Sequence, residues 1–164
     1  MKLDKFIENV NHWAEIRGIH EQSTEVKQVE KFCEELFEYL TAEPAIIELE
    51  LMDAIGDMAV CLVNAAWFIG DQLFIHDFKP NHYSIGDVVN YVYGGSYGIA
   101  IKTLENVAKS GGYDFEECLQ IAWDEIKDRK GMMIDGLYVK WENLNQNQQA
   151  ELQAKLDTHI EADC

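Results

Sequence analysis

Two stretches of the chain carry more carboxylates on one side than ordinary helix design would place there. On a helical projection centred on Lys31, the side chains of Glu34, Glu35 and Glu38 fall within roughly 60° of one direction, beside Lys27 and Gln28. Centred on Glu50, the residues Asp53, Asp57 and Asn64 occupy a similarly narrow sector of the next helix. Amphipathic helices commonly have solvated acidic faces, but three features point elsewhere. Glu34, Glu35 and Glu38 repel one another at spacings where helices gain from opposite charges. Beyond Asp57, the residues Cys61, Ala65 and Phe68 continue the acidic face as an apolar one, so Asp57 and Asn64 should stand at the edge of the protein interior. No Lys or Arg lies between Glu48 and Asp71 to pair with them, and a buried carboxylate is costly unless paired or bound to metal.

Clustered carboxylates without Cys or His ligands suit a hard, oxygen-seeking divalent ion, Mg²⁺ or Mn²⁺. No Glu-x-x-His of the di-iron bundle type follows these acids. His12, His20, His76, His82 and His159 are scattered and read as surface or loop residues, which argues against zinc. The metal-ligand candidates are Glu34, Glu35, Glu38, Asp53 and Asp57.

The elements that must hold these acids follow from apolar spacing. Leu3, Phe6, Ile7, Val10 and Trp13 open the chain with a helix ending near Gly18. A second helix starts at Thr24, an N-cap residue, and runs to about Ala42, with Val26, Val29, Cys33, Leu36 and Leu40 as its apolar stripe. A third runs from about Pro44 to Ile69. The segment 70–97, broken by glycines and Pro80, reads as a loop followed by short helical pieces. Helix returns over 99–108 and again from Asp114, where Glu117 completes a capping-box pattern, to Arg129. Residues 132–140 turn β-prone around Asp135-Gly136, a hairpin signal. The expected fold is all-α: a bundle of about five or six helices with a small C-terminal hairpin over 1–141, and a polar helix or tail over 142–164.

A chain of 164 residues with a formal charge of −17 can bury a core but cannot displace counterions along a nucleic-acid backbone. An acidic pocket accepts a free polyanion when divalent cations lie between the two. Four widely spaced cysteines with no CxxC pair, no signal peptide, and an apolar stretch over 55–69 that is short for a bilayer all point to the cytosol, with no membrane partner.

The segments EVKQVEKFCEELFEYL and DAIGDMAVCLVN resemble the MazG-like members of the all-α NTP pyrophosphatase superfamily, which share an ExxE motif on one helix and an acidic motif ending in Gly-Asp on the next. Trp13 with Arg17-Gly18-Ile19, and IKDRKGMMIDGLYVK, resemble further stretches of phage and bacterial members. The resemblance implies hydrolysis of a nucleoside triphosphate to monophosphate and pyrophosphate. It places Glu35 and Glu38 in the ExxE and Asp57 at the end of the second motif. Where the family often has Glu, three residues before that aspartate, this chain has Ala54; Asp53 or Glu50 is left to supply the ligand.

Within that reading, Glu35 or Glu38 would orient or deprotonate the attacking water. Lys127, Arg129 and Lys130 fit either a helix C-terminal dipole or a clamp on the phosphates, and Lys31 either a phosphate contact or an ion pair with Glu35. Trp13, Gln28 and Asn64 are the candidates for base and sugar, with Trp13 equally suited to the core. A helix pair with one acidic and one apolar face leads to the expectation of a homodimer or homotetramer. The alternative from another class is a catalytically inactive acidic bundle that binds metal or a partner, which Ala54 favours.

Overall fold

The structure is a computed structural model that describes residues 1–42, 48–71, 73 and 84–162. Among them the chain forms eight α-helices and one hairpin: α1 (Leu3–Ile16), α2 (Ile19–Gln22), α3 (Glu25–Thr41), α4 (Glu48–Ile69), α5 (Ile85–Tyr93), α6 (Tyr97–Ser110), α7 (Phe115–Ile126), β1 (Gly131–Ile134), β2 (Leu137–Lys140), a 3₁₀ turn (Trp141–Asn143) and α8 (Gln146–Ala162). The fold is all-α with a small hairpin near the C-terminus, as the apolar spacing predicts. The helix count exceeds the expectation because α2 adds a single turn, the segment after residue 84 forms α5, and the polar tail forms α8. The expected start of the third helix at Pro44, the loop over 74–83 with His76 and His82, and Cys164 lie outside the described residues.

Local chemistry explains most of the boundaries. Thr24 caps α3 by accepting from the Lys27 amide at 3.3 Å, and Asp114 caps α7 by accepting from the Glu116 amide at 2.9 Å. A full capping box forms at Ser84 and Asp87, ahead of α5. The helix that should have reached Arg129 ends at Ile126, leaving residues 127–130 in a turn and an irregular stretch before the hairpin. Asp135 (φ 50°) and Gly136 (φ 81°) both take the left-handed backbone of a tight two-residue hairpin turn, with Ile134 opposite Leu137.

The core is organised around α4, which lies against α1, α3, α6 and α7. From Ala54 to Ala66 nearly every side chain is buried, Asp57 excepted, so the helix is apolar on all sides there. By length and composition α4 could cross a membrane, a longer apolar element than the 55–69 stretch suggests; most of it is buried inside the molecule, as in the core helix of a folded domain. On α3 the expected apolar stripe is split: Val29 and Leu36 pack against the core beside the buried Gln28 and Phe32, while Val26, Cys33 and Leu40 are exposed, as is Phe37. The exposed part of the stripe is a surface that the expected oligomer would have available to bury.

Gly56 fixes how closely α4 and α7 approach. A Cβ at this position would sit 2.4 Å from the Cys118 carbonyl oxygen and 2.7 Å from the Ala122 Cβ. Neither neighbour can yield, one being helix backbone and the other a packed methyl. Gly56→Ala should therefore destabilise the fold by about 2 kcal/mol or more, despite the better helix propensity of alanine. Gly86→Ala, whose Cβ meets only ordinary contact, should be neutral or slightly stabilising. Urea denaturation of the two variants checks the pair; equal midpoints would contradict the packing argument.

Candidate metal and phosphate site

The α4–α7 approach brings carboxylates from two helices together. Asp53 and Asp57 on α4 and Glu125 on α7 each place a carboxylate oxygen within 4.8 Å of the others, a cluster that could bind a metal ion. Asp53 Oδ1 is buried with no hydrogen-bond partner. An orphaned carboxylate oxygen in an all-oxygen donor set fits a hard divalent cation, and the buried thiol of Cys61 nearby is not part of the cluster. Of the two stand-ins for the residue missing at Ala54, Asp53 joins the cluster, whereas Glu50 stays exposed in the first turn of α4.

A cavity of about 270 Å³ opens beside this cluster, between α3, α4, the end of α7 and the hairpin. Glu34, Glu35, Glu38 and Asp57 line it together with Lys31, Arg129 and Lys140; Trp13, Gln28 and Asn64 line it as well, with Ile19 and Tyr138. Burial pushes the Glu35 carboxyl up to about 7, and the charge of Glu38 adds to this. Burial likewise raises Asp57 to about 8, with Glu35 and Asp53 adding, and it raises Asp53, which also feels Glu125. Arg129 opposes the shift at both aspartates.

The cations are held by the fold in different ways. Arg129 and Lys140 both reach Glu125 Oε1, the latter at 3.7 Å. Lys31 is ion-paired with the exposed Glu34, which accounts for Lys31 more simply than the pair with Glu35 expected from their spacing. Lys127 and Lys130 depart from the expected clamp. Lys127 is exposed and paired with Asp124 at 2.6 Å, and Lys130 lines a neighbouring groove with Arg17 and Asp128. The physical reason is the end of α7 at Ile126: past it the chain leaves the helix, and residues 127, 129 and 130 no longer share a face.

Trp13 and Arg17, one turn apart on and just beyond α1, hold that end of α7. Trp13 Nε1 donates to the Ile126 carbonyl at 2.8 Å; Arg17 Nη2 donates to the carbonyls of Lys127 and Arg129, each at 3.1 Å. The Ile126 and Lys127 carbonyls are among those a helix C-terminus leaves without intrahelical partners, and the Arg129 carbonyl lies in the irregular stretch beyond. Tyr138 Oη donates to the same Arg129 carbonyl at 2.9 Å, and its ring meets Trp13 edge-on with centroids 5.5 Å apart. Trp13 is thus a buried wall of the cavity and a latch on α7. Gln28 donates one amide hydrogen to Ser23 Oγ at 2.9 Å, which fixes its side chain at the cavity lining.

Asn64 is 2 % exposed, and its Oδ1 makes no hydrogen bond of normal geometry; its polar neighbour is His20. His20 is not the loop residue its sequence position suggests. Its ring stacks on Trp67 with centroids 4.0 Å apart, and burial holds its pKa below the ordinary value, with Glu15 and Asn64 opposing. Glu125, Lys140 and Tyr138 are the site residues that sequence reading misses; His20 adjoins Asn64 without lining the cavity. Only the i, i+4 spacing of Glu125 and Arg129 carried a signal, and an ordinary helix pair has the same spacing.

No family model, curated protein or solved structure matches the chain.

The raised carboxyls make metal-free stability depend on pH. In the unfolded chain these groups titrate near pH 4. In the folded chain Glu35 and Asp57 hold their protons to about 7 and 8. Between those limits the folded state binds more protons, so its stability falls as pH rises through the folded values. In a chelator, the thermal midpoint should drop between about pH 5 and pH 8.5. Asp57→Asn, which keeps the shape without the charge, should flatten the curve and melt higher than the parent at the alkaline end. A parent profile flat across this window would contradict the assignment.

Proposed function

We propose that this protein is a divalent-metal-dependent nucleoside triphosphate pyrophosphohydrolase, similar to the MazG-like enzymes, that converts a (d)NTP to the (d)NMP and pyrophosphate in the cytosol. The observation that carries the reading is one cavity lined both by Glu35, Glu38 and Asp57 and by Arg129, Lys140 and Lys31, with buried amides and an aromatic wall also in its lining. Carboxylates alone would repel a polyphosphate, and cations alone would bind one without activating water. Their juxtaposition favours phosphoryl chemistry over a plain acidic docking face.

Asp53, Asp57 and Glu125, with Glu35 and Glu38 beside them, are the residues that would hold Mg²⁺ or Mn²⁺. When bound, such an ion neutralises phosphate charge and polarises the scissile anhydride. The chain's own contribution is then positional and acid–base. A water directed at the α-phosphorus gives its proton to Glu35 or Glu38 as the α–β anhydride bond breaks, and pyrophosphate leaves with the bridging oxygen. Glu35, raised to about 7, is matched to accept a proton near neutral pH. Arg129 and Lys140 face the phosphates from the hairpin side. Asn64 and Gln28 face the nucleoside, and Trp13 closes the wall behind it.

Incubation with each NTP and dNTP plus Mg²⁺, with separate assays for monophosphate and pyrophosphate, tests this directly. At least one nucleotide should yield both products in equal amounts. Glu38→Gln and Asp57→Asn should each lower turnover by on the order of a hundredfold or more with helix content unchanged by circular dichroism. Turnover surviving both substitutions would remove the acids from the mechanism. No hydrolysis of any nucleotide would leave the inactive metal- or partner-binding bundle as the better account.

A further inference from the structure

The Glu125 carboxylate is drawn on from two sides. It belongs to the three-carboxylate cluster with Asp53 and Asp57, and it is the shared ion-pair partner of Arg129 and Lys140. Both cations line the cavity. Without a metal they are the counter-charges of the carboxylate wall: the fields at Asp53 and Asp57 include Arg129 as an opposing charge, and that at Asp53 includes Lys140. With a divalent ion among the carboxylates, that role ends.

We infer that Glu125 is a gate on the phosphate-binding cations: it ties down Arg129 and Lys140 in the metal-free protein and frees them for a polyphosphate when it turns to a metal ion. This rests on the metal-site reading above and adds a coupling to it. The anchoring suits such a role. The Arg129 backbone is fixed by Arg17 and Tyr138, and Trp141 N donates to the Lys130 carbonyl at 2.9 Å, closing the base of the hairpin. The guanidinium and the Lys140 ammonium can therefore change partner without the backbone moving. A carboxylate whose charge is taken up by a metal ion holds the two cations less strongly, so the metal and anion sites bind cooperatively, each favouring the other through Glu125.

The test uses the full chain and inorganic pyrophosphate in a chelator, so that no metal–pyrophosphate complex contributes. Glu125→Gln should bind pyrophosphate on the order of fivefold more tightly than the parent, because both cations are released. The gain should vanish when Arg129→Ala and Lys140→Ala are both added. Glu38→Gln removes the same charge without releasing an ion pair, and should gain clearly less. A Glu125→Gln affinity equal to the parent's, a gain matched by Glu38→Gln, or a gain that persists without both cations would each overturn the gate. Circular dichroism on every variant separates these outcomes from misfolding. Since the titration needs neither metal nor turnover, it fails or succeeds independently of the nucleotide assay.

Discussion

At Gly56 two helix backbones come closer than any side chain would allow, and the rest of the site is arranged by that contact. The missing Cβ lets α7 lie on α4 with the Cys118 carbonyl and the Ala122 methyl in the space a side chain would take. One consequence is on either side of the glycine: Asp53 and Asp57, one turn apart, meet Glu125 on α7. Another lies at the end of α7, where Trp13 and Arg17 take up the last carbonyls and set the start of the hairpin that carries Lys140. The glycine of the Ile-Gly-Asp motif is therefore a packing requirement, while the aspartate beside it joins the carboxylate cluster.

What this packing builds is a cavity wall on which charge is expensive. Desolvation dominates the upward shifts of Glu35, Asp53 and Asp57, and their mutual repulsion adds to it. The cost is offset by the apolar remainder of α4, buried from Met58 to Ala66 on every face. Metal-binding and catalytic sites commonly take stability from the fold in this way. The same desolvation that makes the metal-free carboxylates costly at alkaline pH is a cost that a bound divalent ion would offset.

Much of this was legible in the sequence where it depended on one helix at a time. The sector holding Glu34, Glu35 and Glu38, and the one holding Asp53, Asp57 and Asn64, are properties of helical spacing, and all but Asp53 come to line one cavity. The hairpin was equally local, set by an Asp-Gly pair that accepts left-handed backbone. The illegible parts depend on how elements pack. Glu125 and Lys140 are far along the chain from Asp53, and nothing in their own neighbourhoods marks them. Lys127 and Lys130 looked equivalent to Arg129 only while the helix was taken to continue. The α3 stripe has interior spacing throughout, but only Val29 and Leu36 of it pack on the core while Val26, Cys33 and Leu40 stay exposed, a split that helical spacing does not reveal. His20 depended on α2, a single turn that apolar spacing does not reveal.

The central claim is that the cluster formed by Asp53, Asp57 and Glu125 binds a hard divalent cation, and Mn²⁺ titration followed by electron paramagnetic resonance tests it most directly. Free Mn²⁺ gives a sharp signal that is lost on binding. The account predicts saturable loss at neutral pH, strongly weakened in Asp53→Asn and Asp57→Asn and weaker at pH 5 than at pH 8, since protons compete for the same oxygens. An unchanged free-ion signal with the parent protein, or binding that neither substitution affects, would contradict it.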